Sequence, residues 1–188
     1  MKFEVDATTR RRGRAPHELA MINLLLFNLM FCGAVLASSM AQRGSTLEHY
    51  KFWLIVIPLT LSLAVIAFSF WRAARARATG SWFAAVHWGI ATSRYRILML
   101  VYVVMAGLIG LGWLLAQTQD KPGMQEMMFI ALQRVAVAPM LISVMVLAVL
   151  ESSSLFQAGN GEVPDGAAKR MPPPADLIAI PSGEPTAD

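Results

Sequence analysis

The sequence predicts an all-α membrane protein, a four-helix transmembrane bundle, from its composition and from the grouping of its apolar residues. Hydrophobic residues make up 56% of the 188 residues and the mean hydropathy is +0.52, whereas soluble domains have roughly 45–50% apolar residues. Each of four apolar blocks has about the 20 residues that a helix needs to cross a hydrocarbon layer of about 30 Å. These blocks are residues 19–41, 52–71, 97–116 and 127–150.

The distribution of positive charge predicts the orientation of this bundle. Twelve lysines and arginines lie in the N-terminal arm, in the connection between the second and third blocks with its flank, and in the C-terminal tail, against three in the other two connections. Because positive charge is retained on the cytoplasmic side, both termini are expected in the cytoplasm, as four crossings require. The arginine-rich and alanine-rich connections indicate a bacterial-type inner membrane. The twelve residues are Lys2, Arg10, Arg11, Arg12, Arg14, Arg72, Arg75, Arg77, Arg94, Arg96, Lys169 and Arg170.

The N-terminal region has an alternative interpretation as a secretory signal peptide. An arginine-rich start precedes an apolar run that ends in Ser39, Met40 and Ala41, which resembles a cleavage site between small residues. The run is longer than the apolar part of a typical signal peptide, and no polar domain follows it. An uncleaved first helix is therefore preferred. The net charge of +4 is explained by the topology, so no nucleic-acid partner is expected.

Two polar segments frame the predicted transmembrane domain of residues 19–151. Residues 1–18 are expected to form a basic cytoplasmic arm. Residues 152–188 are rich in glycine, proline, alanine and acidic residues, and such a composition buries too little apolar surface to offset the entropy of ordering. A disordered cytoplasmic tail is therefore expected.

A short amphipathic helix is expected between the second and third crossings. The apolar residues within about 81–91 have the spacing of one helix face, but the segment is too short to span a membrane. We expect it to lie along the cytoplasmic interface, with its rings at the headgroup level and neighbouring guanidinium groups toward anionic lipid. The alternative is that it packs against the bundle or a partner subunit. The anchoring residues would be Trp82, Phe83, Trp88, Arg75 and Arg77.

Arg134 is the charged residue within the apolar blocks. A helix rise of about 1.5 Å per residue places it roughly 10 Å below the outer surface if the helix enters the hydrocarbon near Met127, and an arginine at a helix centre costs about 2.5–3.5 kcal/mol. Three interpretations remain open. The side chain reaches back to the interface, it pairs with a partner protein or a lipid phosphate because the blocks hold no carboxylate, or it attracts a transported anion. Polar residues expected at similar depth are Gln133, Asn28 and Thr60.

Small residues mark two faces where the backbone of another helix is expected to approach closely. The first block carries Gly33 and Ala37, and the third carries Gly107, Gly110 and Gly112. Such faces either make the bundle compact or leave a surface for a neighbouring subunit.

Residues with catalytic or ligand chemistry are sparse, so no enzyme activity, cofactor or metal is expected. Cys32 is the only cysteine, which excludes an intrachain disulfide and a site with two thiolates. His17 and His87 are expected on the cytoplasmic side and His49 on the other, so no pair lies within the bundle to ligate haem. The alternative is that His17 and His87 meet near the inner interface and bind haem or a metal there, although no cluster of carboxylates supports it. Glu151, which precedes three serines, is interpreted as the polar end of the fourth helix. No nucleophile with an adjacent base and no nucleotide-binding loop occurs in the sequence.

These observations favour a structural or accessory subunit of a larger inner-membrane complex, such as a secretion, conjugation, transport or respiratory assembly. Other integral membrane subunits and anionic lipid headgroups are the expected partners, and a homo-oligomer is also compatible. The alternative is a small homo-oligomeric transporter or channel that uses Arg134 for an anionic substrate. A quinone- or haem-carrying membrane subunit is a further alternative.

Overall fold

The computed structural model describes residues 1–40, 44–79, 81–175, 177, 179 and 180. Four helical segments are long and apolar enough to cross a membrane, which confirms the predicted all-α class. The elements in chain order are β1 (Lys2–Phe3), α1 (Ala7–Ile22), a π-helical segment (Asn23–Asn28), α2 (Leu29–Ser38), α3 (Thr46–Thr79), α4 (Trp82–Ala116), α5 (Pro122–Gly159), α6 (Asp165–Arg170) and β2 (Ala179–Ile180).

The candidate spans are longer than the predicted blocks. They contain 32, 33, 35 and 38 residues, although about 20 suffice to cross the hydrocarbon layer. Residues 7–18 of the predicted arm are helical. The structure corrects the predicted disorder of the tail where it describes that segment, because residues 152–159 continue α5 and residues 165–170 form α6. The prediction of disorder for residues 176, 178 and 181–188 lies outside the described residues. Arginine and alanine are strong helix formers and are frequent in residues 7–18, so α1 begins before the hydropathy rises.

Asp6 marks the start of α1. Its backbone carbonyl accepts a hydrogen bond from Arg10 N at 3.0 Å, and its Oδ1 accepts one from Thr9 N at 3.2 Å. This is the geometry of a helix N-cap. Hydrogen bonds from Thr9, first from its side chain and then from its backbone, hold the pKa of the Asp6 carboxyl below its ordinary value.

The chain divides into two compact units. Unit 1 comprises Met1–Met21, Val65–Arg94 and Val149–Asp188. Unit 2 comprises Ile22–Ala64 and Tyr95–Ala148.

The core of unit 1 joins the N-terminal strand, the first turns of α4 and the segment that follows α5. Phe3 N donates to the Gly161 carbonyl at 2.9 Å, and Trp82 Nε1 donates to the Met171 carbonyl at 2.9 Å. β1 and β2 pair antiparallel, with Phe3 opposite Ala179. Much of the segment expected to be disordered is therefore packed. The buried core residues are Phe3, Val5, Phe83, Val86, Ile90, Val163, Ala167 and Ala168.

The expected interfacial helix is replaced by a buried one. Residues 82–91 are the first turns of α4, and Phe83 and Trp88 are only 1% and 5% exposed. Trp82 packs edge-on against Phe3, with their ring centroids 5.0 Å apart. The apolar face was correctly located, but it packs within unit 1, as the alternative interpretation held. An apolar helix face has the same sequence pattern whether lipid or protein buries it, because the hydrophobic effect is non-directional.

Of the glycines in the predicted small-residue face of α4, Gly112 makes the close helix contact. An added Cβ at Gly107, Gly110 or Gly33 would meet no atom within 4 Å, whereas one at Gly112 would lie 2.9 Å from Leu132 Cβ. The close approach of α4 to α5 therefore depends on Gly112. The close helix contacts predicted at Gly33, Gly107 and Gly110 are not made by the described residues of one chain. Ala37 is partly buried.

Gly112→Ala and Gly107→Ala form a matched pair on α4, because alanine raises helix propensity equally in both. We expect Gly107→Ala to keep or slightly raise stability, and Gly112→Ala to be less stable than Gly107→Ala by about 1–3 kcal/mol, the usual cost of overpacking. Reversible unfolding of the detergent-solubilised protein measures the difference. Equal stability of the two variants would contradict the close contact with Leu132.

Candidate functional site

Unit 1 encloses three titratable side chains that form one linear hydrogen-bonded chain. Glu151 Oε2 lies 2.5 Å from His17 Nδ1, and His17 Nε2 lies 2.9 Å from His87 Nδ1. His87 Nε2 then reaches the backbone carbonyl of Glu162 at 3.2 Å. His17 and His87 are 0% exposed and Glu151 is 1% exposed, so water cannot replace these partners.

The hydrogen-bond pattern fixes how many protons this chain holds. The Glu162 carbonyl only accepts, so His87 Nε2 carries a hydrogen, and one hydrogen lies between the two imidazoles. With a carboxylate at Glu151, His17 Nδ1 is also a donor. The two imidazoles together therefore carry one positive charge.

Arg94 provides a second cation for Glu151. Its Nη1 lies 3.2 Å from Glu151 Oε2, and its Nη2 donates to Ser154 Oγ at 2.8 Å. Buried charges persist in proteins when they are paired and hydrogen-bonded. Glu151 and His17 meet this condition within unit 1 alone. Arg94 is ion-paired with Glu151 through Nη1, which makes no hydrogen bond, and is hydrogen-bonded to Ser154 through Nη2.

The local sequence explains why these groups meet. His87 and Arg94 are seven residues apart on α4, which puts them on the same face two turns apart. Gly13 lies one turn before His17 on α1, and an added Cβ there would lie 2.5 Å from Phe83 Cε1 and 3.4 Å from His87 Cδ2. Gly13 therefore lets α1 approach α4 closely enough for the two histidines to hydrogen-bond.

The arrangement is linear, whereas a metal site needs ligands that converge on one point. Both ring nitrogens of each histidine already have partners, and among the described residues no group of three or more His, Cys, Asp or Glu is placed to hold a metal ion. Haem ligation by His17 or His87 would require breaking one of these bonds. The cluster can hold a proton and join α1, α4 and α5.

The intramembrane polar residues predicted from the sequence separate into different contacts in unit 2. Arg134 is exposed, and its Nε lies 3.4 Å from Ser39 Oγ. Gln133 Nε2 donates to the Val35 carbonyl at 3.3 Å, and Thr60 is exposed on α3. The structure therefore does not bring Arg134 together with Thr60 or Asn28.

Asn28 belongs instead to a buried network that links three helical segments of unit 2. Its Nδ2 donates to the Asn23 carbonyl at 2.8 Å and to Ser62 Oγ at 3.1 Å. Its Oδ1 accepts a hydrogen bond from the Tyr102 hydroxyl at 2.5 Å, and that hydroxyl lies 2.7 Å from Ser62 Oγ. The contact with Asn23 lies within the π-helical segment, where such a side chain satisfies a backbone carbonyl.

The predicted interfacial arginines contact aromatic rings of unit 1 or lie beside α4. The Arg75 guanidinium is 5.8 Å from the centroid of Trp71, and that of Arg72 is 5.7 Å from Trp88. Arg77 Nη2 would lie 4.0 Å from a Cβ added at Gly89. Arg75 and Arg77 remain exposed.

Unit 2 also contains an open cleft whose lining changes from apolar to polar. One part has a volume of about 580 Å³ and is lined by residues such as Phe31, Leu59 and Gly110. A second part, of about 540 Å³, is lined by residues that include Glu48 and Lys51. Ile55, Phe129 and Gln133 line both parts, so the two are adjacent.

The four candidate spans place the chain in the class of multi-pass membrane proteins. Comparison with known proteins finds no matching family model, no similar curated protein and no similar solved structure. The function is therefore argued from this chain's own geometry.

Glu151→Gln tests whether the buried cluster holds unit 1 together. The substitution leaves Arg94 and His17 facing a neutral amide, and removing one member of a buried ion pair costs about 3–5 kcal/mol. We expect faster hydrogen–deuterium exchange in peptides that cover Met1–Met21 and residues 160–170. The matched control is Glu18→Gln, which removes an exposed carboxylate that pairs with Arg14 and should change stability by at most about 1 kcal/mol. Unchanged exchange in Glu151→Gln would show that the cluster does not hold these segments.

Proposed function

We propose that the protein is a structural or accessory subunit of a larger complex in a bacterial inner membrane, with both termini in the cytoplasm. The observation that carries this proposal is the position of Arg134. Its side chain is exposed on α5 beside exposed Val135, and its hydrogen bond to Ser39 is long, at 3.4 Å. A guanidinium on an apolar helix surface is stabilised best by an acid or a set of carbonyls on a neighbouring protein.

The composition of unit 1 supports the proposed topology. The N-terminal region, the α3–α4 connection and the segment after α5 pack into this one unit, and these are the three regions that hold most of the positive charge. Four crossings place all three on the same side of the membrane. The positive-inside rule makes that side the cytoplasm.

The buried cluster supports a structural role for unit 1 and gives no support for catalysis. Each ring nitrogen of His17 and His87 has a partner within the chain, and Glu151 is paired with both His17 and Arg94. A catalytic base needs access to a substrate proton. In this cluster the basic atoms are enclosed and already bonded.

The second candidate is a homo-oligomeric transporter or channel, and the same position of Arg134 favours it. Because the side chain faces outward from one chain, copies related by rotation would bring several guanidinium groups together. Such a ring would attract anions. The two candidates differ in the identity of the protein that covers Arg134.

The proposal predicts that loss of the charge at Arg134 disrupts assembly without loss of the protein. Tagged chain, extracted in a gentle detergent at native expression, should migrate with a reproducible set of other membrane proteins. Arg134→Gln should lower their recovery at least about tenfold, because truncating one partner of a buried charged pair costs about 2–5 kcal/mol. Arg134→Lys, which keeps the charge, should retain part of the recovery of these proteins.

Arg96→Gln is the matched control, because Arg96 is also an exposed arginine on a long helix and lies in the region assigned to the cytoplasmic end. Its recovery of partners should equal that of the unmodified chain. A homo-oligomer with no other protein would favour the transporter, and an anion flux lost in Arg134→Gln would then establish it. A monomer would overturn both proposals.

A further inference from the structure

The hydrogen-bonded chain of unit 1 that runs from Glu151 to the Glu162 carbonyl has an acceptor at each end. Glu151 Oε2 lies 2.5 Å from His17 Nδ1, and the Glu162 carbonyl oxygen lies 3.2 Å from His87 Nε2. Between the rings, His17 Nε2 lies 2.9 Å from His87 Nδ1. Each of the three contacts needs one hydrogen, whereas two neutral imidazoles carry two. The complete chain therefore binds one proton more than the neutral rings.

Loss of this proton breaks one of the three contacts, and the geometry identifies which one. Without its hydrogen, the first contact would leave a bare ring nitrogen against the Glu151 carboxylate at 2.5 Å. The second would leave two bare nitrogens 2.9 Å apart, and the third would leave a bare nitrogen 3.2 Å from a neutral carbonyl. Hydrogen bonds to an ionised acceptor are about twice as strong as neutral ones, and electrostatic repulsion falls with distance. The bond from His87 to Glu162 is therefore the one that is lost.

The other charged groups of unit 1 leave this order unchanged. Arg94 Nη1 lies 3.2 Å from Glu151 Oε2, so its charge acts at the carboxylate end of the chain. Glu162 itself has a half-buried side chain, whose negative charge favours the proton-bound state. The other described charged side chains of unit 1 are exposed, where solvent and salt screen them. Those on α1, α3 and the segment after α5 include Arg14, Glu18, Arg72, Arg75, Arg77 and Asp165.

The Glu162 carbonyl belongs to a segment, residues 160–170, that holds β1 in the core of unit 1. Phe3 N donates to the Gly161 carbonyl and Val163 N donates to the Met1 carbonyl, both at 2.9 Å. Phe3 and Val163 are each 1% exposed, and they pack in one core with the first turns of α4. A change at the Glu162 carbonyl therefore acts directly on the packing of this segment and of β1.

We propose that His17 and His87 form a proton-binding site that controls how tightly residues 160–170 pack on α4. With the proton bound, His87 Nε2 donates to the Glu162 carbonyl and the segment is held. On release, the N–H bond at His87 Nε2 breaks, its proton passes to water, and the shared hydrogen stays on His87 Nδ1, which donates to His17 Nε2. Because His87 is 0% exposed, water reaches Nε2 only when the segment moves, so the two events are coupled. This inference does not rest on the proposed role as an accessory subunit.

The direction of the pH effect follows from the number of protons bound in each state. A free imidazole has a pKa of about 6.5, so most free rings are neutral at about pH 8. The packed unit binds one proton more than two neutral rings, and a state that binds more protons is stabilised as the pH falls. The packing of residues 160–170 should therefore weaken as the pH rises.

Hydrogen–deuterium exchange of the purified full-length chain tests this site. Exchange is measured from about pH 6 to about pH 9, on both sides of the pKa of a free imidazole, and is corrected at each pH for the exchange rate of an unstructured peptide. We expect protection in peptides that cover Phe3 and Val163 to fall at least about fivefold with rising pH, a ratio equivalent to about 1 kcal/mol, the usual value of one hydrogen bond. Protection in α2 should stay constant. Constant protection at Phe3 and Val163, or an equal fall in α2, overturns the proposal.

His17→Gln removes the proton site, and His49→Gln is its matched control. The glutamine amide does not titrate, so His17→Gln should abolish the pH-dependent change in protection. His49 is exposed on α3, and His49→Gln should keep the full change. A full change in His17→Gln, or loss of the change in His49→Gln, contradicts the assignment.

Nitrogen NMR of the unmodified chain, labelled at histidine, tests the same site without a substitution and decides the question even if His17→Gln does not fold. The chemical shift of each ring nitrogen distinguishes an N–H from a bare nitrogen. As the pH rises, His87 Nε2 should lose its hydrogen and His87 Nδ1 should keep one, while His17 Nδ1 remains an N–H. A bare His17 Nδ1, or a His87 Nε2 that keeps its hydrogen throughout, would show that the bond to Glu162 is not the one released.

Discussion

The buried carboxylate of Glu151 sets the main constraint on unit 1. Moving an ionised group out of water costs several kcal/mol, even after relaxation, and partners must offset this cost. Arg94 and the shared proton of His17 and His87 are those partners. These partners lie on α4 and α1. The need of Glu151 on α5 for compensating charge therefore determines how the three helices pack.

Further features of unit 1 follow from this requirement. The two imidazoles hydrogen-bond only because α1 approaches α4 at Gly13, where an added Cβ would overlap the Phe83 ring. His87 Nε2 needs an acceptor, and the backbone carbonyl of Glu162 provides it. That carbonyl lies in the segment after α5, which also carries Gly161, a residue with φ of +75° whose added Cβ would lie 2.8 Å from the Phe3 carbonyl oxygen. Packing of the N-terminal strand and the hydrogen bonds of the cluster therefore stabilise the same arrangement.

Sequence reasoning was strongest where a single physical quantity decides the structure. Apolar length alone fixes the number of candidate spans, and the structure confirms four. The cluster could not be found this way, because Glu151, Arg94 and His17 are far apart in the chain and each has an ordinary local interpretation. One signal was present: Glu151 and Arg94 lie beside apolar blocks without a local counter-ion, and such charges need partners from elsewhere. The tail was misjudged because its composition is poor in large apolar residues, yet Val163, Ala167 and Ala168 are enough to cover the aromatic face of α4.

Glu151 and Arg134 differ in how far the chain itself provides partners for their charge. Glu151 is 1% exposed and has two cationic partners in its own unit. Arg134 is exposed and has one long hydrogen bond to a neutral hydroxyl. Both are charges on the same helix, so helix propensity and hydropathy do not distinguish them. Glu151 is thus paired within its own unit by His17 and Arg94, whereas Arg134 lies on an exposed face of α5. The exposed guanidinium on α5 is therefore the observation on which the proposed accessory-subunit role rests.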